Sequence, residues 1–241
     1  MARKNKKKKE KIGEMRIPAD ELQKEYEALE PDSTLTEIIP TKEDLEEMKN
    51  INYMETSAEV VGYASKLEQL KKYNFITNVI PEKNSILDFG CGRGDYYGWH
   101  EKTFGAGNLD YLGVDANKVL IDSGKRLYEG IQIINNDWSN LPDDTTRDWC
   151  INIDSNNLRY DLNVNKSSHD YLLETIDIMY KHANKGILLT LSSTMNKEES
   201  PFEKYNPSMI FDIVQTKYKG AALDHSSSDN EFTLIIYKNE E

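Results

Sequence analysis

Apolar positions along this chain switch between two spacings, and the switches mark out its elements. From Thr56 they recur at helical intervals, as Val60, Ala64, Leu67 and Leu70, with lysines and glutamates between them. That spacing predicts an amphipathic helix from Thr56 to Tyr73, followed by an apolar approach through Phe75, Ile76 and Ile80. Short apolar runs then predict strands at Ile86–Phe89, Leu109–Asp115, Ile131–Ile134, Trp149–Ile153 and Ile187–Leu191. Helical spacing returns between and after them: beyond Gly94, over Lys118–Leu127, over Ser168–Tyr180 and over Pro207–Tyr218. Asn184-Lys185-Gly186 reads as the stop of the third of these helices. Two last apolar runs, Ala221–His225 and Phe232–Tyr237, flank a Ser/Asp/Asn-rich turn and predict a hairpin. Strands alternating with helices imply an α/β, doubly wound, mostly parallel sheet covered on both faces.

The first 54 residues follow another pattern. Pro18 suits the first turn of a helix running through Leu22, Tyr26 and Leu29, and Thr41 with Asp44 suits the start of a second. Apolar density there is too low for an independent core. Residues 1–54 therefore read as a basic tail and an acidic helical arm, and residues 55–241 as the main domain.

The turn after Ile86–Phe89 carries the candidate chemistry. In Asp88-Phe89-Gly90-Cys91-Gly92-Arg93-Gly94-Asp95, glycine occupies every second position behind a carboxylate. Glycine is needed where φ is positive or where a ligand touches backbone. A dinucleotide fingerprint needs its third glycine at position 95, which is Asp95. A phosphate loop needs Gly-Lys-Ser/Thr, and an acid at the helix mouth opposes a pyrophosphate.

This turn resembles the first motif of class I S-adenosylmethionine-dependent methyltransferases. The resemblance covers residues 56–238 and implies a seven-stranded sheet with a C-terminal antiparallel hairpin. It implies S-adenosylmethionine as cofactor, with Asp88, Gly90, Cys91, Gly92 and Gly94 around its amino-acid end. Asp115 resembles the second motif, an acid at the end of the next strand that bonds the ribose, with Ala116 and Asn117 beside it. Asn135-Asn136-Asp137-Trp138 resembles the third, in which Asp137 bonds adenine and Trp138 offers a backbone amide or a flat face. Asp154-Ser155-Asn156-Asn157 falls where such enzymes meet their substrate. It lacks the proline and aromatic of the exocyclic-amine methylases, and neither cysteine follows a proline as cytosine C5 methylation requires.

No residue announces itself as catalytic. Asp154, His100 and His225 are the candidates for a base, and Asp154 is also a candidate cofactor contact. For Asp154 and Asn156, binding a polar acceptor and capping the following turn are equal contenders. For Tyr96, Tyr97, Trp99 and His100, a substrate pocket and core packing are the alternatives.

Charge changes the picture of partners. The net charge is −12, although residues 1–11 hold seven Lys or Arg against one Glu, so the rest is more acidic still. Such a body lacks the phosphate-neutralising term of a general nucleic-acid binder. A small-molecule or protein methyl acceptor is therefore expected. The tail at residues 1–11 is a candidate contact for nucleic acid or an acidic partner, a solvated end being the alternative. No apolar run reaches membrane-spanning length and the four histidines are scattered, so neither membrane nor metal is expected. Two cysteines and no apolar leader suit a reduced cytoplasmic setting, or an intracellular assembly such as a virion. The alternative to an enzyme is a non-catalytic structural protein of the same fold, joined to a larger assembly by its arm and lysine-rich tail.

Overall fold

The computed structural model describes Ala58, Tyr63 and residues 65–157, 167–197, 202–226 and 230–238. The arm and tail of residues 1–54 lie outside the described residues. Seven strands form one sheet in the order β3-β2-β1-β4-β5-β7-β6. They are β1 (Ile86–Phe89), β2 (Tyr111–Asp115), β3 (Ile133–Asn135), β4 (Arg147–Ile153), β5 (Ala183–Ser192), β6 (Ala221–Asp224) and β7 (Glu231–Tyr237). Strands β1 to β5 are mutually parallel, and β7 runs antiparallel between β5 and β6. The doubly wound sheet with its closing hairpin is as expected.

Among the described residues five α-helices cover the sheet: α1 (Lys66–Val79), α2 (Asp95–Phe104), α3 (Lys118–Leu127), α4 (Ser168–His182) and α5 (Pro207–Lys217). Alternation along β1 sends Leu87 and Phe89 into one core, with Leu172, Ile176 and Met179 of α4. Ile86 joins the other core, with Leu70, Tyr73 and Ile76 of α1 and Tyr96 and Trp99 of α2. Asp88 points to that second face and is 2 % exposed.

Strand ends shift by one to four residues, and two regions differ more in kind. Helix α1 starts at Lys66, not Thr56, because the extended Ser65 accepts the amide of Glu68 on its side chain. At its other end it runs on to Val79, so Phe75 and Ile76 are helical. It stops at Ile80, whose backbone is held extended by the following Pro81. The second difference is Asn184-Lys185-Gly186. Helix α4 ends on Ala183, already extended, and the tripeptide belongs to β5. Gly186 is there for Trp149 on β4, since a Cβ would sit 2.8 Å from its ring.

Candidate active site

The C-terminal ends of β3, β2, β1 and β4 lie side by side along one edge of the sheet, and an acid stands in or just beyond each strand: Asp137, Asp115, Asp88 and Asp154. Beyond β1 the chain must turn at once into α2. Gly90 makes that turn at φ 73°, and a Cβ there would lie 2.5 Å from the side chain of Ser155. Gly94 starts α2 at φ 77° in place of a side-chain cap.

Asp88 lies beneath this turn. Its Oδ2 accepts from Tyr111 Oη at 2.7 Å, while its Oδ1 is buried with no partner. Burial pushes the carboxyl up to about 7; the Tyr111 hydroxyl opposes the shift and the Asp115 charge adds to it. An unmatched buried acceptor is costly, and a cationic donor reaching it would satisfy it.

Asp115 ends β2 with both oxygens oriented by backbone. Oδ2 accepts from Gly92 N at 2.8 Å and Oδ1 from Asn117 N at 2.7 Å. Each oxygen keeps a second lone pair for a ligand. Ala116 is held through its carbonyl, which accepts from Asn135 Nδ2 at 3.1 Å. Asn117 Oδ1 caps α3 by accepting from Val119 and Leu120, so that oxygen serves the helix. Cys91 is half-buried, with Sγ in the space left by Gly113 of β2. Its thiol is raised by burial and by the Asp88 and Asp115 charges.

Asp137, beyond β3, accepts from Ser139 N at 2.9 Å on one oxygen. Trp138 is 8 % exposed, with its ring packed between Phe89 and Tyr171 at centroid distances of 6.4 and 6.1 Å. Its face therefore belongs to the core, and of the two roles the resemblance offered it, the backbone amide is the one left.

The loop after β4 interlocks with the glycine turn. Asn152 Nδ2 donates to the Phe89 carbonyl at 3.0 Å and to Ser155 Oγ. Asp154 is left-handed at φ 62°, an uncommon state for a residue other than glycine. Its Oδ1 accepts from Thr190 Oγ1 at 2.7 Å and from Asn157 Nδ2 at 3.2 Å, and its Oδ2 pairs with Lys72. Asp154 thus holds its own turn, next to Ser155, which lies against Gly90. Asn156 is 1 % exposed, and neither amide atom has a partner.

The two histidines lie elsewhere. His100 packs on Phe104 and Tyr96 of its own helix, at centroid distances of 4.7 and 6.3 Å, and burial lowers its pKa. Core packing also accounts for Tyr96 and Trp99. His225 bonds Ser193 Oγ at 3.0 Å and stacks on Phe232. It lines a pocket of about 480 Å³ with Met195, Phe211 and Leu223, near the ends of β5 and β6. Among the described residues neither histidine bonds Asp154 or the glycine turn.

Sequence reasoning missed two sets of partners. Asp95 does not face the helix mouth. It is 5 % exposed, bonded by Arg93 Nη2 at 2.7 Å, Tyr128 Oη at 2.7 Å and Gln69 Nε2 at 3.3 Å. The repulsion argued from it therefore fails, and the glycine spacing alone separates this turn from a dinucleotide site. The other set is Lys72 and Glu231 around Asp154. Their one signal is a lysine beside the buried face of α1.

No known family model matches the chain, and no curated protein matches it. Solved structures do. A TehB-like S-adenosylmethionine-dependent methyltransferase from Corynebacterium glutamicum superposes with a TM-score of 0.53 at 15% identity, over 70% of this chain and 88% of its own. The plantazolicin methyltransferase BpumL, solved with S-adenosylhomocysteine (SAH), gives 0.52 at 15% identity, over 83% and 91%. A Pyrococcus horikoshii protein gives 0.56 at 12% identity, over 80% and 99%. The fold is that of the class I, Rossmann-like methyltransferases. In that fold the strand ends bearing Asp88, Asp115 and Asp137 lie together along one edge of the sheet. Among the described residues no three His, Cys, Asp or Glu side chains gather as a metal site, and no helix is long and apolar enough to cross a membrane.

Proposed function

We propose that the chain binds S-adenosylmethionine at this edge of the sheet and transfers its methyl group to a small-molecule or protein acceptor. The observation that carries this reading is the buried, unpartnered Oδ1 of Asp88 beneath the glycine turn. The ligand's amino group is the cationic donor that this oxygen lacks. Asp115, held by Gly92 and Asn117, suits the paired hydroxyls of a ribose. The free oxygen of Asp137 suits the adenine amino group. One of the solved relatives in fold holds the product form of this cofactor.

When bound, S-adenosylmethionine supplies an electrophilic methyl carbon on a positively charged sulfur. The chain's own task is to place an acceptor in line with it, and positioning alone can account for much of a rate. Asn156 and Asp154 stand on the acceptor side, after β4. Asp154 is the candidate to take a proton from the acceptor, since neither histidine bonds this loop. The acidic body favours an uncharged or cationic acceptor over a polyanion.

Thermal shift tests the reading. Ligand at a hundred times its dissociation constant stabilises a protein by about 2.7 kcal/mol. The wild type should gain that stability with S-adenosylmethionine, and Asp88→Ala and Asp115→Ala should lose the gain. A folded wild type that does not respond would sink the proposal.

A further inference from the structure

Lys72 of α1 reaches over the ends of β4, β5 and β7. Its Nζ pairs with Asp154 and lies 2.7 Å from both carboxylate oxygens of Glu231. The three side chains are 12 %, 17 % and 16 % exposed. The Tyr63 ring covers the ammonium, 5.0 Å from Nζ to centroid. Two carboxylates against one ammonium leave a surplus negative charge in a nearly dry place. Tying α1 to the sheet needs only one of these acids, and a surplus buried charge is costly. A cation arriving beside it offsets that cost.

The glycine-turn edge of the sheet is where such a cation would arrive. Asp154 immediately precedes Ser155, which lies against Gly90, and β4 is the neighbour of β1 on the side away from β2 and β3. On the cofactor reading above, the sulfur joins the amino-acid end at Asp88 to the ribose at Asp115. It therefore passes Gly90, with the sugar and base on one side and the Asp154 loop on the other. Two independent groups mark this as a ligand site: Asp88 Oδ1 and the Asn156 amide, all buried and unpartnered.

We propose that the Lys72–Asp154–Glu231 cluster favours the cationic sulfonium of S-adenosylmethionine over the neutral thioether of SAH. The inference rests on the cofactor reading. In the transfer, an acceptor lone pair forms the new bond to the methyl carbon and the carbon–sulfur pair stays on sulfur. The ligand thereby loses one positive charge. The cluster then has no cation to face, and the spent cofactor is held less tightly than the fresh one.

Among the described residues the charged and titratable groups around Glu231 are Lys72 and Glu68 of α1, Asp154 after β4 and Tyr63. Burial, with help from Asp154, pushes Glu231 up to about 7 against the pull of Lys72. Burial alone would lower Lys72, but the two carboxylates outweigh it and hold its pKa up. The surplus charge is therefore present above pH 7 and disappears as Glu231 takes up a proton below it.

Calorimetric titration of both ligands into wild type and Glu231→Gln tests this. At pH 8 the preference for S-adenosylmethionine over SAH should fall roughly tenfold in the variant, the order expected for the loss of one nearby charge in a partly dry site. Affinity for SAH should stay the same, which also reports that the variant is folded. At pH 6 the two proteins should converge. Should Glu231→Gln not fold, Asp154→Asn removes the same surplus from the other side, and its preference should fall likewise. An unchanged preference, or equal losses for both ligands, overturns the proposal and leaves the cluster as a tether. A wild type that binds neither ligand overturns the cofactor reading instead.

Discussion

Asn156 is the residue whose burial makes least sense without a ligand. Both atoms of its amide lack partners at 1 % exposure. Removing such a group in favour of a similar apolar one is neutral or stabilising, whereas an unsatisfied amide costs about 1–3 kcal/mol. Asn156→Leu should therefore raise the urea midpoint, by the equivalent of about 1 kcal/mol, and a loss of stability would mean the amide has a structural partner. Asp88 makes a second residue-scale prediction. Its folded pKa of about 7 stands above the unfolded value of roughly 3.9. Its contribution to stability is thus fully present below about pH 4 and is lost as pH rises through about 7. Asp88→Asn should match the wild type at pH 4 and exceed it by up to roughly 4 kcal/mol at pH 8, in urea unfolding without ligand. Glu231 titrates in the same window in both proteins and cancels. The acids at positions 88, 115 and 137 were legible in the sequence because each follows an apolar run. The partners that fix them were not: Tyr111 reaches Asp88 from the next strand, and Gly92 reaches Asp115 across 23 positions.

Elements were legible wherever a local signal closed them. Lys118–Leu127 was predicted to the residue, because Asn117 caps it and the apolar spacing runs its full length. The start of α1 was not, since Val60 and Ala64 continue the helical spacing while Ser65 interrupts the backbone. Glycines can mislead in the same way, as Gly186 did, when the reason for them lies on another strand. Gly124 of α3 is a case with a measurable consequence. A Cβ there would lie 2.0 Å from the Arg93 carbonyl oxygen, backbone against backbone. Alanine gains about 1 kcal/mol in helix propensity over glycine. The overlap forces α3 off the glycine turn, at about 2–3 kcal/mol. The overlap wins. Gly124→Ala should lower stability in urea by about 1–2 kcal/mol net, with weaker cofactor binding by calorimetry.

The whole molecule was legible as an order of elements, and the pairing order of the sheet follows from that order by rules of connection rather than from any one residue. What the order did not reveal is the charge balance across it. Lys72, Asp154 and Glu231 are separated by 82 and 159 positions from the lysine outward. They meet only because β7 folds back between β5 and β6 and α1 lies over the strand ends. One consequence of the strand order concerns how copies of this chain meet in solution. The two outermost strands, β3 and β6, are three and four residues long, whereas the longest strands are interior. Each rim of the sheet therefore offers few free amides and carbonyls for a foreign strand to recruit. Concentrated solutions should stay free of β-rich aggregates up to the unfolding transition, with thioflavin fluorescence rising only once the interior strands come apart.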